Sequence, residues 1–178
     1  MELFNLAQAE LLRSNADRRH PFLYFTLATF GRYPEARTVV NRHVNAGLSV
    51  LLFTDRRTSK VSQARESPRV TALFYHPKKK LQVRMNGRAV LIDEGHEEYA
   101  QLLERVKSAG NLKDYTTRQA PGSPIAGKPD IEYGEDIHFL AIRIQPEYID
   151  VLQLGREAHR RSGYTLRDGQ WEEAVLVP

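Results

Sequence analysis

Residues 69–92 read RVTALFYHPKKKLQVRMNGRAVLI, and they decide the fold class. Two stretches rich in β-branched and aromatic side chains, 69–75 and 81–92, flank Lys78-Lys79-Lys80. That composition predicts two strands, with the lysines in a solvated hairpin turn. Toward the N-terminus the same signal recurs at 22–29 (FLYFTLAT), 36–44 (ARTVVNRHV) and 47–54 (GLSVLLFT), bounded by the turns Gly31-Arg32-Tyr33-Pro34 and Asn45-Ala46-Gly47. Toward the C-terminus strands are expected at 137–144, 147–153, 159–166 and 171–177. They come in consecutive runs rather than alternating with helices, which excludes a doubly wound sheet. The expected class is mainly β with peripheral helices, a mostly antiparallel barrel.

Helical periodicity is confined to three places. Leu3, Phe4, Leu6, Ala7, Leu11 and Leu12 predict an amphipathic helix over 2–14, which Asn15 to Pro21 ends, so 1–20 form a helix and lead-in. A short helix fits 58–66, and another fits 95–108, with Tyr99, Leu102, Leu103 and Val106 on one face. Residues 109–134, rich in Gly, Pro and polar groups, are expected as an extended loop, a length that is often functional. The 178 residues are expected to form one domain, 1–178.

Composition sets further bounds. The chain has no cysteine, which excludes disulfides, thiol catalysis and cysteine-ligated metal centres. No apolar run approaches the ~20 residues of a membrane span, and Met1-Glu2-Leu3-Phe4-Asn5 lacks the features of a signal peptide, so the cytoplasm is the expected location. The net charge of +4 is unevenly spread. Residues 31–90 hold 13 basic and three acidic side chains, whereas 91–178 hold 10 basic and 16 acidic. An anion held by the first half accounts for the excess.

Most motifs fail on their chemistry. Residues 122–128 spell GxxxxGK, but Pro129 replaces the Ser/Thr that a magnesium-bound nucleotide needs and Pro124 removes a donor inside the loop. No histidine pair has helical i, i+4 spacing, so no metal site is expected. Phe53-Thr54-Asp55-Arg56-Arg57-Thr58-Ser59-Lys60 differs from these. A strand ends and a helix begins there, so hydroxyls, unpaired N–H groups, the positive end of the helix dipole and cations converge. The segment reads equally as an ordinary capped helix and as a phosphate site.

Three segments in order resemble a known family. Arg37-Thr38-Val39-Val40-Asn41-Arg42, then Thr54 to Lys60, then Gln82-Val83-Arg84-Met85-Asn86-Gly87, match the pyridoxamine 5′-phosphate oxidase-like family of FMN-binding split β-barrels. Ser67-Pro68-Arg69 and the C-terminal Trp171…Leu176-Val177-Pro178 extend the match. The resemblance implies a split β-barrel of antiparallel Greek-key type, bound FMN, a homodimer with the flavin at its interface, and oxidoreductase activity on a small substrate. It assigns Arg37, Thr58 and Lys60 to the FMN phosphate, with Ser59 at a position where the oxidases usually have Arg and Arg57 or Arg56 as substitutes. It lays Thr38, Val39 and Val40 along the flavin ring and adds Thr54, Gln82 and Arg161 as cofactor contacts. His159 and Arg42 become candidate substrate contacts; Glu157 stands where the family has its substrate-gripping Arg, which leaves the substrate unidentified. The alternatives are a non-catalytic flavin, haem or deazaflavin binder and, less favoured, a basic nucleic-acid-binding β-barrel.

Overall fold

The computed structural model describes residues 1–125, 127 and 130–178. Ala126 and Lys128 of the GxxxxGK stretch, and Pro129 after it, therefore lie outside the described residues. Nine strands form one antiparallel sheet: β1 (Tyr24–Phe30), β2 (Pro34–Val40), β3 (His43–Val44), β4 (Val50–Asp55), β5 (Arg69–His76), β6 (Leu81–Ile92), β7 (Phe139–Gln153), β8 (Arg160–Arg167) and β9 (Gln170–Leu176). Their order is β2-β1-β5-β6-β7-β4-β3, with β8 on β7 and β9 on β8, and the sheet curls without closing. Helices α1 (Glu2–Arg13), α2 (Ser59–Glu66) and α3 (Tyr99–Ser108) lie at its periphery. The split β-barrel expected from the sequence is the observed architecture, and among the described residues no helix is long and apolar enough to cross a membrane.

Alternation along the strands separates two layers. Phe25 and Leu27, Leu52, Ala72 and Phe74, Val83 and Met85, and Ile142 and Ile144 face inward, where Phe4, Ala7 and Leu11 of α1 join them. Beyond the opposite face of β4 and β7, Leu51, Phe139 and Ala141 pack against Tyr99, Leu102 and Val106 of α3. Consecutive residues of β4 therefore serve different layers.

Three expectations need correction. Residues 36–44 are not one strand: β2 stops at Val40, and Asn41 and Arg42 carry the chain over to β4, where the Arg42 N–H donates to the Leu51 carbonyl at 2.8 Å. Helix α3 starts at Tyr99 rather than 95, because Asp93 to Glu98 form a turn that ends on Glu98. The predicted strands 137–144 and 147–153 are a single strand, β7. The sequence shows two because Glu147 is an extra, unpaired residue: Gly87 faces Pro146 while Asn86 faces Tyr148, so the inward set changes phase from Ile142 and Ile144 to Ile149 and Val151. Pro146 supplies no ladder N–H. A Cβ on Gly87 would lie 2.0 Å from the Gln145 carbonyl oxygen, so only glycine fits beside the bulge.

The N-terminal helix is anchored by a buried polar cluster. Glu10, 1% exposed, accepts from His20 Nε2 at 3.0 Å and from Lys79 Nζ at 2.6 Å, with His76 Nε2 at 3.5 Å. This brings a carboxylate and two imidazoles together, yet the tautomers oppose metal binding. His20 Nδ1 accepts the Phe22 N–H and His76 Nδ1 accepts the Lys79 N–H. Each Nε2 then carries the proton and points it at Glu10, whereas a metal-bound imidazole needs its proton on the other nitrogen. The tri-lysine turn is thus partly structural, since Lys79 neutralises a buried carboxylate.

Two outcomes follow from this packing. Gly87→Ala is expected to lower stability by about 1–3 kcal/mol in a urea titration; an unchanged midpoint would contradict the contact with Gln145. Burial holds the His76 imidazole below the ordinary histidine value, against the pull of Glu10. The unfolded chain protonates His76 first as pH falls, so this contribution is intact above about pH 6.5 and lost as pH drops through the lowered folded value. Wild type should therefore be less stable at about pH 5.5 than at about pH 7.5, and His76→Gln should show a smaller difference; an equal pH dependence in the two proteins would remove His76 as its source.

Candidate functional site

The cations Arg37 and Lys60 converge at one end of the inner layer. Arg37 is the register partner of Leu27, so its side chain shares the inward face and reaches the edge of the sheet. Lys60 opens α2, directly after the β4 turn, and its Nζ donates to Thr54 Oγ1 at 3.1 Å. Thr54 Oγ1 lies 3.2 Å from Thr58 Oγ1, and the Thr58 hydroxyl donates to the Asp55 carbonyl at 2.8 Å. Thr58 occupies the N-cap position without capping by its side chain, which leaves the first turn of α2 with free N–H groups. Among the described residues Lys60 has no carboxylate within salt-bridge distance. Burial, and then the nearby Arg37 charge, push its ammonium below the ordinary lysine value, against a weaker pull from Asp55. A half-buried cation beside a second cation and an uncapped helix start is a donor set for an anion. Ser59, exposed at the first helical position, adds a hydroxyl at the same end.

Arg56 and Arg57 are committed elsewhere. Arg57 makes a paired contact with Asp55, Nε at 3.0 Å and Nη2 at 2.7 Å, and also donates to the carbonyls of Thr117 and Arg118. Arg56 bonds Glu94 and the Ile137 carbonyl. Both tie the 109–134 loop and its exit to the β4 turn.

The remaining predicted residues divide between the faces. Val39 packs on the inner core, whereas Thr38 faces outward into a shallow depression shared with Tyr24, Thr26, Leu73 and Tyr75, and Val40 is half-buried at the end of β2. Gln82, Leu152 and Arg161 are register partners across β6, β7 and β8 and so share that outer face. Buried Asp150 accepts from Arg161 Nη2 and Arg84 Nη2, each at 2.9 Å. Within one chain, Gln82 and Arg161 are thus separated by the sheet from Arg37 and Lys60.

Arg42 and His159 are not brought together. Arg42 lies over the Phe53 ring, 5.4 Å from its centroid, and lines a cavity of about 630 Å³ with Arg105 and Tyr115. Its Nε is buried with no hydrogen-bond partner among the described residues. His159 is exposed before β8, in a cleft shared with Glu2 and Glu173. Sequence reading missed Glu35, Thr29 and Gln63, which surround Arg37, and Asp150 beneath Arg161. Glu35 was findable, since residues i and i+2 of a strand share a face; Thr29, Gln63 and Asp150 required the tertiary pairing.

Comparison with known proteins places the chain in a family. The family model described as pyridoxamine 5′-phosphate oxidase, FMN-binding domain, matches residues 5–93, which hold Arg37, Thr58, Lys60 and Gln82. A pyridoxine/pyridoxamine 5′-phosphate oxidase of Zymomonas mobilis is 30% identical over 140 residues, 72% of each chain. Among solved structures, a pyridoxamine 5′-phosphate oxidase-related FMN binding protein from Nostoc punctiforme superposes with a TM-score of 0.76 at 23% identity, covering 98% of this chain and 97% of that one. PhzG from Burkholderia lata, solved with tetrahydrophenazine-1-carboxylic acid, also gives 0.76, at 16% identity over 98% and 92% of the two chains. With half its length under the family model and the split barrel intact throughout, the chain belongs to the pyridoxamine 5′-phosphate oxidase FMN-binding-domain family.

Proposed function

We propose that the protein is an FMN-dependent oxidoreductase acting on a small substrate, with the FMN phosphate held by Arg37, Thr58 and Lys60. The observation that carries this reading is the Lys60 ammonium, half-buried beside Arg37, donating to a hydroxyl and with no carboxylate within salt-bridge distance among the described residues. Glu35 pairs with Arg37 but not with Lys60, and a phosphate dianion at an uncapped helix start would answer the lysine. Ser59 lies at the same turn, and Thr54 fixes the Lys60 side chain through its hydroxyl. Thr38 to Val40 offer the adjoining edge of β2 to the flavin ring.

Gln82 and Arg161 fit the same ligand if a second copy of the chain presents its outer face. Support for a homodimer comes from Tyr24 and Tyr75, 57% and 51% exposed on the face that also carries Thr38, Gln82 and Arg161. Bound FMN would supply the redox chemistry; the protein anchors its phosphate, orients its ring and excludes water. Arg42, with an unsatisfied Nε in its cavity, and His159 are the proposed substrate contacts.

Removal of one charge-assisted anchor weakens binding by roughly 1.5–3 kcal/mol, so Lys60→Ala should bind FMN about 10- to 150-fold more weakly. Riboflavin, which lacks the phosphate, should bind the variant and wild type alike. The protonated amine is the binding form, so FMN affinity should be full below the lowered Lys60 value and fall as pH rises through it, starting short of the ordinary lysine range. Lys60→Ala should lack that alkaline limb. Titration by flavin fluorescence checks all three, and an FMN affinity unchanged in the variant would take Lys60 out of the site.

A further inference from the structure

Arg37 already has both terminal nitrogens engaged. Its Nη1 donates to Thr29 Oγ1, to the Glu35 carbonyl at 3.3 Å and, more weakly, to the Leu27 carbonyl; its Nη2 donates to Glu35 Oε2 at 2.8 Å and Gln63 Oε1 at 3.3 Å. These terminal N–H groups are among those through which an arginine grips a phosphate. Thr29 and Gln63 are buried, 3% and 7% exposed, and the Thr29 hydroxyl also donates to Gln63 Oε1, so neither can leave. The Glu35 side chain is 41% exposed against 21% for Arg37, near the tip of the β1–β2 hairpin. Gly31 makes room for it: a Cβ there would lie 2.8 Å from Glu35 Oε1 and 2.6 Å from Gln63 Nε2. Of the side-chain acceptors on Arg37, Glu35 is the one that can swing into solvent.

On the reading that this end of the sheet holds the FMN phosphate, we infer that Glu35 is a built-in competitor of that phosphate, occupying Arg37 and setting the affinity for phosphorylated ligands. A phosphate arriving between Arg37 and Lys60 must displace the carboxylate from Nη2, then sit near a charge of its own sign. The displaced pair is a partly exposed one and holds weakly, so Glu35 tunes affinity without abolishing it.

The test compares wild type with Glu35→Gln, which keeps the shape and removes the charge, and with Glu35→Ala. Titration with FMN should show about two- to fivefold tighter binding by both variants. Riboflavin affinity should not change, which confines the effect to the phosphate. Weaker or unchanged FMN binding by the two variants would overturn the inference and would make Glu35 a support for Arg37 instead. Tighter binding of riboflavin to the same degree would also overturn it, since the carboxylate would then act on the ring. Inorganic phosphate titrated into the ligand-free proteins by calorimetry separates the two claims. Tighter phosphate binding by Glu35→Gln in a chain that takes up no FMN would retain the competitor and reject the flavin; no binding of either ligand by any of the three proteins would reject both.

Discussion

Strand β7 is the constraint on which the rest of the molecule depends. It pairs with β6 along most of its length, with β4 through Phe139 to Ile144, and with β8 through Tyr148 to Gln153. A strand can serve three partners only if it turns between its halves, and the extra residue at Glu147 opposite Gly87 supplies that turn. Its first half fixes β4, and with it Thr54 and the helix start that carries Lys60. Its second half fixes the row of Gln82, Leu152 and Arg161 on the outer face. One bulge therefore sets the relation between the two groups of residues proposed to meet one ligand.

Charge placement follows from this frame. The excess of basic residues between 31 and 90 does not form a uniform surface. Arg56 and Arg57 are spent on Glu94, Asp55 and loop carbonyls, and Lys79 on Glu10, while Arg84 shares Asp150 with Arg161. Lys60 is different in that it donates to a hydroxyl, and Arg37 beside it answers to a carboxylate that can leave. A spread of exposed basic residues would attract any polyanion; a half-buried lysine held against an arginine answers to a compact one.

Much of the fold was legible in the residues, because β-branched and aromatic runs between turns are governed by local chemistry. What escaped was set by pairing. The phase slip at Glu147 makes one long strand look like two, since alternation breaks where the bulge inserts a residue. Val40 and Arg42 belong to one predicted strand in the sequence, yet the chain leaves β2 between them, and the Arg42 N–H pairs with Leu51 across the sheet. In the site, Arg37, Thr58 and Lys60 could be grouped from spacing and resemblance, but whether Arg57 was free could not. Its spacing suits a phosphate as well as it suits Asp55, and only the fold brings the Asp55 carboxylate and the Thr117 carbonyl to it.

The central claim is that this chain holds FMN, and the most direct measurement is the visible absorption spectrum of the purified protein, followed by chromatography of whatever is released on denaturation. The expected result is a flavin spectrum, retained on purification or gained on addition of FMN, with FMN as the released species. A colourless protein that takes up no added FMN, or one that releases haem or a deazaflavin, would contradict it.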